Sequence, residues 1–187
     1  MRPSSFRGSH GALVVAAVAM VSAASCGTRS DTTATATQLR SYIAAVEPIR
    51  LGVNHLLDGA DPVLEEYRSH RLHGQQTAVA MGDLERAFAA YALDVNALQP
   101  ANPTLSRINA AYAHTYILED SYLSALVAAL PDGQFGSLPT TQADQRATII
   151  EWRIQLELMG RNTRVALPAD LQQAGRGEIA PTVMGGT

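Results

Sequence analysis

Residues 81–98 read MGDLERAFAAYALDVNAL, and their apolar side chains recur at spacings of three and four. This spacing places them on one face of an α-helix, whereas a half-buried strand would need a spacing of two. Residues 39–56 follow the same rule, and two later segments carry similar stripes. The predicted core stripes are Leu39, Tyr42, Val46, Ile49, Val53 and Leu56; Met81, Leu84, Phe88, Tyr91, Val95 and Leu98; Leu105, Ile108, Tyr112, Tyr116, Leu123, Leu126 and Leu130; and Ala143, Ala147, Ile150, Ile154 and Leu158, widened by Ile149, Leu156 and Met159.

Short, polar breaks separate the stripes. Asn102 followed by Pro103 is typical of a helix start, and the run Pro131-Asp132-Gly133 is typical of a helix end. A break at residues 58–62 leaves room for a short extra helix. Because short connections force neighbouring helices to run antiparallel, the sequence predicts an all-α, up-down-up-down four-helix bundle with a short extra helix between helices 1 and 2.

The composition fits one domain with a real core. The chain has 187 residues, of which 47% are hydrophobic and 17% charged, and its net charge is -3. This mild acidity and the 5% aromatic content argue against nucleic-acid binding, which needs a basic surface or a stacking platform. We expect the bundle over residues 39–167, and a short helix or mobile tail over residues 168–187, where no periodic pattern continues.

The first 25 residues have the order of an export signal. Arg2 and Arg7 make the N-terminal region positively charged, and residues 11–21 form an uncharged apolar run. Small residues then lead to Cys26, the only cysteine of the chain. The apolar run is about half of the roughly 20 residues that a membrane-spanning helix needs. We therefore expect a signal peptide over residues 1–25 rather than a permanent transmembrane anchor.

The small residues directly before Cys26 resemble the lipobox of bacterial lipoproteins. In that family the signal is cut just before the cysteine, whose sulfur receives a diacylglycerol group. The resemblance implies lipid attachment at Cys26, a polar tether over residues 26–38, and a location in the cell envelope, on the extracytoplasmic face of a bacterial membrane. Ala23 stands where the family usually has Leu, so the alternative is an ordinary cut after Ala24 or Ser25 that releases a secreted soluble protein.

Glu119 is the candidate ligand-binding residue, because it falls inside the apolar stripe of the third helix. Tyr112, Tyr116 and Tyr122 lie on neighbouring turns. A buried carboxylate is costly unless it is hydrogen-bonded or paired. Glu119 can be a buried group whose hydrogen bonds join helices, which we call an internal tie, or a residue at the solvent-exposed rim of the bundle. It can also be part of a polar pocket that binds a small or cationic ligand. The partners considered for a tie are the tyrosine hydroxyls and Arg40, Arg50, Arg153 or Arg161.

The weak metal candidates are Glu66, His70 and His73, at helical spacings of four and three. Because the first and last are about 10 Å apart along a helix, one ion could take only two of them. No Glu is followed three positions later by His, so the di-iron pattern of ferritin-like bundles is absent from the sequence. The sequence therefore predicts no metal site and no cofactor.

The sequence offers no nucleophile elbow, phosphate loop or second cysteine for catalysis. We therefore expect a non-enzymatic, exported lipoprotein, anchored to the membrane through its lipid, whose bundle is a protein-interaction or structural module of the envelope. The expected partners are the membrane and an envelope protein. The alternative is a bundle that binds a small ligand or a metal.

Overall fold

The computed structural model describes the backbone of residues 26–183 and the side chains of residues 31–183. The predicted signal peptide, residues 1–25, lies outside the described residues. Two short 3-10 helices lie at Phe135–Ser137 and Ala169–Gln173. The α-helices are α1 at Cys26–Asp58, α2 at Ala60–Arg68, α3 at Gly74–Ala97, α4 at Pro103–Ala129 and α5 at Gln142–Thr163.

The four long helices, α1, α3, α4 and α5, form an all-α up-down-up-down bundle, which confirms the predicted fold class. Helix α3 packs against α1 and α4, and α5 packs against α4 and α1, so the four helices close around one core. Helix α2 is the short extra helix and packs on α1 and α3. Asn102 caps α4 as predicted, because its Oδ1 accepts from the backbone N–H of Thr104 at 2.9 Å and of Leu105 at 3.2 Å.

The predicted stripes of α1, α3 and α4 form the core. Their members are buried, apart from Leu56, Tyr91 and Leu98, which are partly buried and pack against the core. Helix α1 is bent and contains Pro48, which cannot donate a backbone hydrogen bond. Gly52 lets α3 approach α1 closely, since a Cβ there would lie 2.6 Å from the hydroxyl of Tyr91.

The main row of the predicted α5 stripe is wrong, whereas Ile149 and Leu156, which widened that stripe, are buried. Ala143, Ala147, Ile154 and Leu158 are exposed. The prediction failed because this helix has two apolar stripes, and the residue that decides between them is Trp152, the largest side chain in the core. The face that packs inward carries Gln145, Ile149, Trp152, Leu156 and Gly160.

The predicted polar tether is helical. Helix α1 begins at Cys26, and among its described side chains Ala36 is the first that is buried. Along this helix the Thr35 hydroxyl donates to the Asp31 carbonyl at 2.8 Å, a bond that lets a threonine satisfy its hydroxyl within a helix. We call residues 26–35 the helical stem. Ten helical residues span about 15 Å, less than half the reach of an extended tether.

The segment after α5 packs against the bundle as far as it is described, whereas the sequence favoured a short helix or a mobile tail. Arg164 has a left-handed backbone, with φ 56°, and turns the chain back at the end of α5. We call residues 164–183 the C-terminal strap. Its 3-10 helix is the short helix that the sequence allowed. Its buried apolar residues are Val165, Leu171, Ala174, Ile179, Ala180 and Val183.

Candidate functional site

Glu119 is buried in the bundle, with 1% of its surface exposed, so it is not a rim residue. Its Oε1 accepts from the backbone N–H of Ala180 in the C-terminal strap at 2.8 Å. When the Gln145 amide is oriented to suit its neighbours, its Nε2 donates to Glu119 Oε2 at 2.7 Å and its Oε1 accepts from the Thr141 hydroxyl. Both carboxylate oxygens therefore have protein donors, and Glu119 ties α4 to α5 and to the strap.

Burial raises the pKa of Glu119 from its usual 4.5 to about 7, although the hydrogen bonds from Ala180 and Gln145 oppose the shift. A carboxyl whose pKa is higher in the folded state contributes stability that is fully present below its unfolded pKa. That contribution is lost as the pH rises through the folded pKa. This difference between the folded and unfolded pKa corresponds to about 3 kcal/mol in the free energy of unfolding.

We therefore expect Glu119→Gln to match the wild type near pH 4.5 and to be more stable by up to about 3 kcal/mol above pH 7. The amide carries no charge, and Gln145 can turn its carbonyl toward it. Urea unfolding between pH 4.5 and 8 measures the difference. An effect of Glu119→Gln that does not change with pH would contradict this account.

The three tyrosines near Glu119 in sequence make different contacts in the structure. The hydroxyls of Tyr112 and Tyr116 lie 2.9 Å apart and bond to each other. Tyr122 is the one that shares the surroundings of Glu119, whose charge adds to burial in raising the pKa of the Tyr122 hydroxyl. The sequence singled out Glu119 but left open a buried position and a position at the rim, and it did not predict these partners.

Tyr112 and Tyr116 belong to a packed aromatic network across the core. Tyr112 stacks on Trp152 with ring centroids 4.1 Å apart. The indole N–H of Trp152 donates to the Tyr42 hydroxyl at 2.8 Å, and that hydroxyl donates to Asn109 Oδ1 at 2.9 Å. Burial raises the pKa of Tyr112 and Tyr116, so both stay protonated over the physiological range. This network links α1, α4 and α5.

A second buried ionic group, which the sequence did not predict as a site, surrounds Arg50. Its guanidinium is 1% exposed and bonds to both carboxylate oxygens of Glu47, at 3.1 and 2.7 Å. It also bonds to Asp170, and its Nη1 lies 3.5 Å from Oε1 of Glu178. The sequence proposed Arg50 as a partner of Glu119, whereas the structure pairs it with these three carboxylates, two of which lie in the C-terminal strap.

Glu178 has no exposed side-chain surface and pairs with Arg50 inside the protein. Its Oε2 accepts from the backbone N–H of Gly175 at 2.7 Å. Burial raises the pKa of Glu178, while this hydrogen bond and Arg50 act in the opposite direction. Arg50 lies four residues after Val46 and three before Val53, and this helical spacing was the feature of the sequence that could have indicated a buried Arg50. No periodic pattern marked Glu178.

The structure separates the weak metal candidates. Helix α2 ends at Arg68, so Glu66 is helical while His70 and His73 lie in the following turn, where His70 has φ 57°. The three residues therefore do not lie on one helix, as their helical spacing had predicted, and that prediction is wrong. His70 and His73 line an open cleft of about 530 Å³ with Tyr67 and Phe135. Within the described part of the chain, no three His, Cys, Asp or Glu side chains are grouped so as to hold a metal ion.

Cys26, the predicted lipid-attachment residue, is the first residue of α1. The stem that follows carries exposed residues at positions 31–34. Among the described residues, no helix is both long and apolar enough to cross a membrane.

These features define the class of the protein: an all-α four-helix bundle whose interior polar groups join the helices to a C-terminal strap. Comparison with family models, with curated proteins and with solved structures gives no match.

Proposed function

We propose that this protein is an exported lipoprotein, anchored through Cys26 to the extracytoplasmic face of a bacterial membrane, whose bundle is a non-enzymatic interaction or structural module of the cell envelope. The observation that carries the proposal is the position of Cys26. It directly follows an export-type leader and starts helix α1, in which Ala36 is the first of the described side chains, from residue 31 onward, that is buried.

The interior chemistry supports a binding or structural role rather than catalysis. Glu119 accepts hydrogen bonds from Ala180 and Gln145, and Arg50 is enclosed by carboxylates. A catalytic acid or base must reach the substrate's proton, and these groups instead hold the protein together. The polar pocket considered for Glu119 gains no support from this geometry.

We expect Cys26→Ser to remove the protein from the detergent phase in a detergent-partition experiment while its helicity stays unchanged. A diacylated cysteine carries two acyl chains, which suffice for durable anchoring, whereas the described part of the bundle has no helix that is long and apolar enough to cross a membrane. Circular dichroism checks the fold.

The matched control is Ser25→Ala, which keeps a small residue before the cysteine and should still partition with detergent. If the Cys26→Ser protein remained in the detergent phase, the anchor would lie elsewhere. An unmodified thiol at Cys26 in the natural product, read by mass spectrometry, would favour the secreted soluble alternative.

A further inference from the structure

The main chain of the C-terminal strap is held by side chains of the helices. At Ala180, the N–H donates to Glu119 of α4, and the carbonyl accepts from Gln142 Nε2 of α5 at 3.0 Å. Both hydrogen-bonding groups of one strap residue are therefore bound by the bundle. Pro181 follows and favours an extended backbone at Ala180.

Two more main-chain carbonyls of the strap are bound in the same way. Arg153 of α5 donates to the Gln172 carbonyl at 2.8 Å, and Arg68 of α2 donates to the Thr182 carbonyl at 3.1 Å. Contacts to main-chain groups from a fixed scaffold, combined with buried side chains, are the usual means by which proteins bind extended peptides. The bundle thus binds its own strap as it would bind a peptide ligand.

The side chains of the strap supply the specific contacts. Glu178 enters the interior to meet Arg50, and Ile179 and Ala180 are buried directly after it. The bundle therefore contacts an acidic residue of the strap that is followed by a buried β-branched and a buried small apolar residue. The strap has no α-helix of its own, and its one regular element is the five-residue 3-10 helix Ala169–Gln173.

We propose that the groove between α1, α4 and α5 is a peptide-binding site that the strap occupies in cis. Its partner is an extended segment of another envelope protein with the same chemistry: a carboxylate for Arg50, then a β-branched and a small apolar residue. This inference rests on the proposed interaction function and names its site. The strap is covalently attached, so it competes with a partner at a high local concentration.

The test measures binding of a dye-labelled peptide with the sequence of residues 169–183, ADLQQAGRGEIAPTV, by fluorescence anisotropy. The full chain is compared with its Glu178→Arg variant, which places a cation against Arg50 and displaces the strap without changing the groove. We expect the peptide to bind the variant at least tenfold more tightly than the wild type.

A peptide with Ala180→Pro is the matched control. It lacks the N–H that Glu119 accepts, so it should bind the Glu178→Arg protein at least tenfold more weakly than the unchanged peptide. If the variant kept a cooperative thermal transition and the unchanged peptide bound it no better than it bound the wild type, the proposal would be wrong. Binding is measured in detergent and does not depend on whether Cys26 carries a lipid. A failure of this proposal can therefore be distinguished from a failure of the proposed lipid anchor.

Hydrogen exchange of the wild-type protein gives a second test that does not depend on the folding of the variant. The amides of Gly175 and Ala180, which the strap presents to buried carboxylates, should exchange at least tenfold faster than core amides of α4, because the strap opens before the bundle unfolds. Equal protection at the two places would mean that the strap detaches only on global unfolding, and the groove would then be closed to any partner.

Discussion

Replacing Arg50 with Met lowers the free energy of unfolding by about 3–5 kcal/mol, since it leaves buried carboxylates without a cation. The side chain of Glu178 has no exposed surface, and that of Glu47 is 12% exposed, so water cannot readily replace the guanidinium. Met preserves most of the apolar stem of the side chain and thereby separates the loss of charge from the loss of volume. Urea unfolding monitored by circular dichroism measures the change.

The matched control is Arg86→Met on α3. Arg86 pairs with Asp83 at the same three-residue spacing as the pair of Glu47 and Arg50, but both of its groups are about two-thirds exposed. Exposed pairs of this kind contribute less than about 1 kcal/mol. A double variant, Arg50→Met with Glu178→Met, should recover part of the lost stability because it removes one of the unpaired buried charges. Equal effects of Arg50→Met and Arg86→Met would contradict the buried ionic group.

Leu156→Ala lowers the free energy of unfolding by about 2–5 kcal/mol, whereas Leu158→Ala changes it by about 0.5 kcal/mol or less. Leu156 is fully buried on the inner face of α5, while 46% of the surface of Leu158 is exposed. The two substitutions remove the same atoms from the same helix and therefore isolate the effect of burial. Thermal and urea unfolding of the two variants measure it.

The same pair of variants decides which face of α5 points inward. The sequence stripe placed Leu158 in the core and Leu156 beside it, while the structure packs Leu156 with Trp152. A larger loss from Leu158→Ala than from Leu156→Ala would restore the face that the sequence predicted. Similar losses from both would mean that the helix is buried on two sides.

The sequence predicted the helices and most of the core because amphipathic helices repeat with a fixed period. It failed for α5, where Ile154 and Leu158 extend an apolar stripe that faces out, and where Gln145 puts a polar residue on the face that packs inward. Periodicity counts apolar positions equally. It does not give greater weight to one large residue such as Trp152, whose packing determines which face of the helix turns toward the core.

The candidate site was predictable only in part. The position of Glu119 in an apolar stripe singled this residue out and left open a buried and a rim position, and the structure places it in the interior. Its partners were not predictable, because one is the main-chain N–H of Ala180 in a segment with no periodic pattern. A segment held by hydrogen bonds from side chains to its backbone can have almost any sequence, so the strap resembled a tail until its contacts were known.

The helical stem has a geometric consequence for an anchored protein. A flexible linker would let the bundle tumble freely at the bilayer, whereas a helix that is continuous from Cys26 would couple the orientation of the domain to an attachment point at that residue. In the lipoprotein that we propose, the turn between α3 and α4, where Asn102 bonds to Gln38, would lie on the lipid side. The opposite end, with α2 and the cleft beside His70, would then project outward, where molecules beyond the membrane surface could reach it.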